Sequence, residues 1–438
     1  MNESLVLAAD PSRLAASRLR FRCSRTGIRS TFRSGSRRSL PSGRLDHENR
    51  SIRSFAGPGA LLGAAVIALG GGCSEELAAI EGTASIRVEL VSPADPGTDD
   101  DRLDEEVRDI TVALTALDTQ GELDPSFSGS VQLYVHYLGG LTPELGTEPL
   151  ERIDVVEGVS EEIALQLPYV FGPTYLWVED GRGAAPTFAT GVSPTIWYRD
   201  PYLADVSRPP DEAAPGALER SPLEYKQIRV SQSRYGADGR LVVTGIYSQG
   251  YTVSDVSCQA GGAPPCTTGE YDSVFVFSFN RPLGEGTGPI EIGDVLELLT
   301  GGMSEFNGLT EVNFPESHVA EGERDADRVP EPIVIQPGWL SSRIEMERAE
   351  AAVVAIDGAT VCELDDDYET YSQWKLDLGG GCGDAVNVIT TGQVNDFSPA
   401  EYVGQTLPRV VGTLRPVNIG SFDVWIIYPR TADDLTLP

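Results

Sequence analysis

Short stretches in which apolar and polar residues alternate recur along most of the chain, and few long apolar periodic stretches interrupt them. Such alternation predicts half-buried β-strands. The clearest example is residues 292–314, where apolar positions precede Gly301 and Gly302, and where Asn307 and Gly308 favour a tight hairpin turn. We expect strand, bend, hairpin and strand there. The predicted fold class is mostly β.

Residues 85–205 contain several predicted strands at intervals of about ten residues, which favours a β-sandwich. A turn is predicted at 118–121, and residues 95–109 form an acid-rich run that we interpret as a solvated loop. The pattern resembles the bacterial Ig-like repeats of surface proteins, which implies an Ig-like β-sandwich without the Cys…Trp…Cys signature of antibody domains. The resemblance is carried by Val112, Ala116, Asp118, Gly121, Phe127, Gly129, Val131 and Leu133.

Two further regions, 224–318 and 333–438, each contain five predicted strands, which is the number in an OB barrel. The phrase at 292–314 and two phrases in the second region, ERAEAAVV and YPRTADDL, resemble the OB-fold modules attached to secreted bacterial nucleases. Ala351 stands where that family has Gly. The resemblance implies two OB-like five-stranded barrels in tandem, but the nuclease catalytic domain that follows such modules is not found here. A Pro/Ala/Glu linker, 206–223, and an acidic linker, 319–332, are expected to flank the first barrel.

The N-terminal region has the features of an export signal. Arg50 and Arg53 precede an apolar run and a small-residue stretch that ends at Cys73, and residues 54–72 therefore predict a signal peptide. A Cys after small residues resembles a bacterial lipobox, although Gly70 stands where that motif usually has Leu. The resemblance implies a diacylated Cys73 followed by a tether, 73–84, and an address in the cell envelope, anchored to the outer membrane. An ordinary signal peptide is the alternative.

The Arg/Ser-rich leader, residues 1–53, is longer than signal peptides usually require. We interpret it as the product of a start codon placed too early, with a transit peptide as the alternative. It is excluded from the fold prediction.

Four cysteines remain beyond the leader and the lipobox, and they form two local pairs. An even count in an exported chain predicts two disulfides, Cys258 with Cys266 and Cys362 with Cys382. Zinc binding by these four residues is the alternative, although no Cys-x-x-Cys spacing supports it.

Charge restricts the partners of the chain. The first 72 residues contain 12 Arg and 4 acidic residues, a net charge of +8, so the remaining 366 residues contain 21 basic and 62 acidic residues and have a net charge of −41. Nucleic acid is therefore disfavoured, because counterion release requires several Lys and Arg on one face. A protein or a glycan is the expected partner. A Ca²⁺ contact at Asp365, Asp366 and Asp367 is a further metal candidate, and a solvated surface run is the alternative.

Catalytic groupings are not apparent in the sequence. Beyond the leader there are two histidines; His136 is predicted on a strand surface and His318 in a solvated loop. No Ser/His/Asp set, Cys/His dyad, HExxH or P-loop occurs. The same-parity residues Phe275, Phe277 and Phe279 are interpreted as barrel core. The sequence thus predicts a non-enzymatic, membrane-anchored lipoprotein with a binding or structural role. The alternative is an accessory subunit that supplies OB modules to an extracellular nuclease or other hydrolase encoded on a separate chain.

Overall fold

The computed structural model describes residues 82–137, 149–168, 170–180, 191–214, 218, 220–286, 288–419 and 422–438. The protein is mostly β, with 49% of residues in strands and 10% in helices, and it contains two closed five-stranded barrels. The predicted leader, signal peptide and Cys73, together with most of the tether, lie outside the described residues.

The N-terminal part consists of two antiparallel sheets that share one hydrophobic core. Inward positions alternate with outward ones, as in β1, where Ile86 and Val88 are buried and Glu89 is exposed. One sheet has the order β1-β2-β5, and the other has the order β4-β3-β6-β7, with β8 paired to β6. The strands are β1 Ser85–Ser92, β2 Asp109–Leu117, β3 Gly129–Tyr137, β4 Glu151–Val155, β5 Ile163–Gln166, β6 Pro173–Asp180, β7 Gly191–Val192 and β8 Ile196–Trp197.

The turn predicted at 118–121 is confirmed. The Asp118 carboxylate accepts hydrogen bonds from the backbone N–H groups of Gln120 and Glu122 at 2.8 and 3.0 Å, and Gly121 has a φ of 81°.

The chain between the sandwich and the first barrel is packed against that barrel. Helix α1, Leu203–Ser207, buries Leu203 and Val206 in the barrel core, and the Ser221 hydroxyl donates to the Val206 carbonyl at 2.6 Å. The described residues of the predicted linker, 206–223, are therefore attached at both ends.

The first barrel has the strand order β10-β11-β12-β16-β15 and closes by pairing β15 with β10. All neighbours are antiparallel except β12 and β16, which are parallel, and β9 adds to the outer edge of β15. The strands are β9 Gln227–Val230, β10 Gly239–Tyr247, β11 Gly250–Gln259, β12 Ala263–Phe277, β13 Leu283–Gly284, β14 Gly288–Pro289, β15 Val295–Phe306 and β16 Leu309–Val319.

The hairpin predicted within 292–314 is formed by β15 and β16. Asn307 and Gly308 make its turn with φ values of 54° and 82°, and the register shifts between Thr300 and Gly302, where the glycine pair predicted a bend. Strand β16 continues beyond the predicted end, so His318 lies in a strand and the prediction of a loop was wrong.

The second barrel repeats this arrangement. Its order is β18-β19-β20-β22-β21, closed by β18 with β21, and β20 and β22 are parallel. In both barrels the third and fifth strands are thus the parallel pair, which is consistent with the predicted OB-like barrels. The elements are β17 Ile333–Val334, α2 Arg343–Glu347, β18 Val353–Val361, α3 Asp366–Tyr371, β19 Gln373–Asp377, β20 Ala385–Ile389, β21 Thr406–Ile419, β22 Phe422–Tyr428 and β23 Leu435–Thr436.

Both predicted disulfides are present. Cys258 with Cys266 joins β11 to β12 near the tip of their hairpin, and Cys362 with Cys382 joins the end of β18 to the loop between β19 and β20. Each therefore stabilises a local excursion of one barrel.

Candidate binding groove

A groove of about 640 Å³ lies where the first barrel meets the second. Its walls come from β12, β16 and the turns that follow β10 and β15 in the first barrel, and from β21 and β22 in the second. We call it the aromatic groove, defined by Tyr247, Phe275, Phe277, Phe279, Phe306, Glu311, Phe314, Arg415 and Tyr428.

The strand alternation of β12 places its phenylalanines on the groove side. Val274 and Val276 are buried in the barrel interior, whereas Phe275 and Phe277 belong to a separate cluster at the groove floor. The interpretation of these phenylalanines as barrel core was wrong, because in this strand the valines fill the interior.

Three phenylalanines of the groove are strongly exposed to solvent. Phe279, Phe306 and Phe314 have exposed fractions of 54%, 61% and 77%. The Phe279 ring centroid lies 4.6 Å from that of Phe277 and 5.4 Å from that of Phe314. The rings of Phe277, Phe279 and Phe314 therefore form one continuous apolar surface, the kind of patch that marks an interaction site on soluble proteins.

Two of these residues also have an unusual backbone conformation. Phe279 and Phe314 have φ values of 61° and 51°, in the left-handed region that a bulky residue rarely occupies. Such a conformation costs on the order of 1–3 kcal/mol and is found mainly at functional sites.

A guanidinium group lies against three less exposed rings of the groove. The Arg415 Cζ is 3.8 Å from the ring centroid of Tyr247, 4.1 Å from that of Phe275 and 4.8 Å from that of Tyr428. Its Nε and Nη2 atoms are buried and contact no acceptor among the described residues. The cation is thus held by cation–π interactions with the rings.

Among the described residues that line the groove, the one acidic side chain is Glu311, which is only 6% exposed. Burial raises the pKa of Glu311 to about 7, against the opposing effect of the nearby Arg415 guanidinium. Near neutral pH this carboxyl group can therefore be neutral or ionised, depending on what lies beside it.

Hydrogen bonds across the junction fix the two walls of the groove. The Tyr247 hydroxyl donates to the Thr413 hydroxyl at 2.7 Å, and the Gln393 side-chain amide donates to the Ile246 carbonyl at 3.0 Å. At the hairpin tip, the Asn307 carbonyl accepts from a backbone N–H of β21 at 2.7 Å. The two walls are therefore hydrogen-bonded to each other.

Behind the hairpin that forms one wall, buried carboxyl groups meet. Glu350 accepts the backbone N–H of Thr310 at 2.7 Å, and Glu305 accepts that of Ser221 at 2.6 Å. Burial raises the pKa of Glu305 to about 7, and burial together with the neighbouring Glu347 raises the pKa of Glu350 well above its ordinary value. This cluster links the first barrel to the segment that leads into β18.

The predicted calcium residues lie at the start of α3. Asp365 caps the helix by accepting the N–H of Asp367, and the Lys375 ammonium lies 2.5 Å from Asp365 Oδ2 and 2.9 Å from Asp367 Oδ2. Asp366 lies in the first turn of the helix. A lysine therefore occupies the position beside these carboxylates. Among the described residues no group of three or more His, Cys, Asp and Glu has a metal-binding arrangement.

The two histidines in the described part of the chain lie apart from the groove floor. His136, on β3, stacks on Tyr175 with centroids 5.7 Å apart, and His318 Nε2 lies 2.7 Å from Glu316 Oε1. Neither is brought together with a nucleophile and an acid in a catalytic set.

No family model, curated protein or solved structure matches this chain. In the described part of the chain, no helix has both the length and the hydropathy to span a bilayer.

Proposed function

We propose that this chain is a non-enzymatic binding protein of the cell envelope whose ligand occupies the aromatic groove. In this proposal residues 85–205 form an Ig-like sandwich, and 224–318 and 333–438 form OB-like barrels. Acyl chains on Cys73 hold the protein at the outer membrane. The anchor is supported by the apolar run and small residues before Cys73.

The position of the groove supports this role. OB folds bind their ligands on the face of strands two and three, beside the loops that join strands one to two and four to five. In the first barrel those elements are β11, β12, the turn at 248–249 and the turn at 307–308. Residues of both turns and of β12 line the aromatic groove.

The exposed ring pair of Phe279 and Phe314 is the observation that carries the proposal. A side chain that stays in water contributes little to the stability of the folded state, and a bulky residue with a positive φ lowers that stability. A ligand that covers both rings removes that apolar area from water, and this gives the arrangement a physical reason.

Charge narrows the choice of ligand to a protein or a glycan. The chain has a formal net charge of −33, and the guanidinium of Arg415 is enclosed by three rings. Phosphate polymers require exposed cations along the groove, so we propose no nucleic-acid ligand.

The chemistry of the lining favours binding over catalysis. The ionisable residues among the described groove lining are Tyr247, Glu311, Arg415 and Tyr428. A hydrolase of the usual kinds needs a nucleophile with its base, a pair of carboxylates or a metal centre. One carboxyl group beside an enclosed guanidinium provides none of these, so we propose no catalytic activity.

Photo-cross-linking in intact cells tests the groove. A photoreactive phenylalanine analogue replaces Phe314 in one variant and Tyr371, an aromatic residue on α3 that is also strongly exposed, in the other. We expect irradiation to give a discrete adduct from position 314 and none from position 371. Identical adduct patterns at the two positions, or no adduct at 314, would contradict a groove-bound ligand.

The anchor is tested separately by metabolic lipid labelling of the wild type and of Cys73→Ala, followed by membrane fractionation. We expect the variant to lose both the label and its membrane association. Equal labelling of the two proteins would refute acylation at Cys73.

A further inference from the structure

Resting on the function proposed above, we infer that the occupant of the aromatic groove is a basic protein segment that packs one large apolar side chain into the corner formed by Phe279 and Phe314. The partner is thus recognised by an anchor side chain and by its positive charge.

The geometry of the rings favours an apolar side chain over a sugar. The Phe277 and Phe279 planes are inclined by 64°, and those of Phe279 and Phe314 by 42°. A sugar stacks its flat apolar face on one open ring face, whereas inclined rings form a corner. Aromatic side chains pack into such corners edge-to-face or offset, with centroids about 4.5–7 Å apart. An aliphatic side chain fills the same corner by burial of its methyl groups.

The direction of both rings is fixed by the chain itself. The left-handed backbone at Phe279 and Phe314 fixes the direction in which each ring leaves the chain, and the junction hydrogen bonds hold the hairpin against β21. Preorganisation of this kind reduces the entropy lost on binding and is typical of residues that dominate an interface.

Charge complementarity favours a basic partner. Among the described residues of the groove, Glu311 is the one carboxyl group and has no side-chain hydrogen bond, and the nearby Arg415 guanidinium is held against three rings. A Lys or Arg of a partner can therefore pair with Glu311 without displacing an existing hydrogen bond. The net charge of −33 steers basic partners toward the protein and repels acidic ones.

The groove also offers neutral polar groups. Gln249 and Thr391 are among the residues that line it. Amide and hydroxyl groups of this kind can donate to and accept from successive peptide groups without selecting a particular sequence.

The test is a binding titration of the purified full chain with short fluorescent peptides. The probe carries several lysines and one central phenylalanine; matched peptides replace the phenylalanine with alanine, or the lysines with glutamates. A neutral oligosaccharide, cellohexaose, is titrated alongside. We expect saturable binding of the probe, and affinity at least about tenfold lower for each matched peptide.

Three variants are compared with the wild type. The double variant Phe279→Asn with Phe314→Asn removes both rings but uses a residue that tolerates positive φ. Glu311→Gln changes the charge alone, and Tyr371→Ala is the control for an exposed aromatic residue outside the groove. We expect about tenfold weaker binding of the probe to the double variant and to Glu311→Gln, and unchanged binding to Tyr371→Ala.

Three results would overturn the inferred partner. Equal affinity for the lysine and glutamate peptides would show that binding does not require a positive charge on the partner. Equal affinity of the wild type and the double variant for the probe would show that the two rings do not bind an anchor side chain. Ring-dependent binding of cellohexaose without peptide binding would identify a glycan site and leave the proposed groove function intact. Absence of binding by every probe, together with no cross-link at position 314, would overturn both proposals.

Discussion

At the scale of single residues, several carboxyl groups are buried in environments that favour their neutral form. Glu305 and Glu350 lie behind the groove hairpin, and Asp255 lies in the first barrel, where burial raises its pKa to about 7. Each takes up a proton on folding at mildly acidic pH, so stability and pH are linked.

We predict that the free energy of unfolding falls as the pH rises from about 4.5 to about 7. Within that window the folded state keeps protons that the unfolded state releases, so raising the pH favours unfolding. Replacing Glu305 with Gln removes one such group, whose pKa rises from 4.5 to about 7. The free energy of unfolding should therefore fall less between pH 5 and pH 8 in this variant than in the wild type, by roughly 3 kcal/mol at most. Urea unfolding at the two pH values measures it.

The exposed Glu161→Gln substitution is the matched control and should leave the pH dependence of the wild type unchanged. If the free energy of unfolding of Glu305→Gln instead changed with pH as it does in the wild type, Glu305 would not be the protonated group.

The sequence predicted some residue environments and missed others, for a physical reason. The run VFVFSF has two apolar faces, and a barrel strand buries only one of them in the interior. Nothing local specifies which face that is, because the choice depends on whether valines or phenylalanines fill the barrel. The presence of two apolar faces nevertheless indicated that the outer face of the strand also packs against apolar groups. The positive φ of Phe314 has no sequence signal.

At the scale of elements, local turn chemistry was the most predictable feature. Asn307 and Gly308 form the expected hairpin turn because both residues tolerate positive φ, and Asp118 fixes its own turn through side-chain hydrogen bonds. The end of β16 was missed because its last residues, up to Val319, are held by pairing with β15 and not by local preference.

We predict that replacing Cys362 and Cys382 with serine destabilises the protein by about 3 kcal/mol, since their disulfide closes a loop of 20 residues. The shorter separation of 8 residues between Cys258 and Cys266 predicts a smaller entropic loss for that pair. Urea unfolding of the two double variants in non-reducing buffer provides the comparison. A larger loss for the Cys258 and Cys266 pair would contradict the loop-length explanation.

At the scale of the whole molecule, two properties depend on more than one element. The groove depends on the junction between the barrels, and the salt dependence of stability depends on the net negative charge. The junction joins residues far apart in sequence, such as Tyr247 with Thr413 and Gln393 with Ile246. Sequence patterns indicated two barrels but gave no pairing between them, so the groove formed at their meeting point could not be predicted. Strand order became clear only from the closed sheets.

We predict that added salt stabilises the folded protein. A net charge of −33 makes the compact state repel itself, and raising NaCl from about 0.01 M to about 0.1 M shortens the screening length from roughly 30 Å to roughly 10 Å. Exposed ion pairs lose little under the same change. Urea unfolding at the two salt concentrations should give a higher free energy of unfolding at the higher one. A decrease would mean that ion pairs outweigh the self-repulsion.

The most direct test of the central claim, that the exposed rings serve binding and not folding, is the free energy of unfolding of Phe279→Asn with Phe314→Asn. The substitution relieves two left-handed phenylalanines, each costing on the order of 1–3 kcal/mol, and it removes ring contacts worth about 0.5–1.5 kcal/mol each. We expect urea unfolding to give a stability equal to or higher than that of the wild type. A loss of more than about 2 kcal/mol would contradict it, because the rings would then be part of what holds the barrels together.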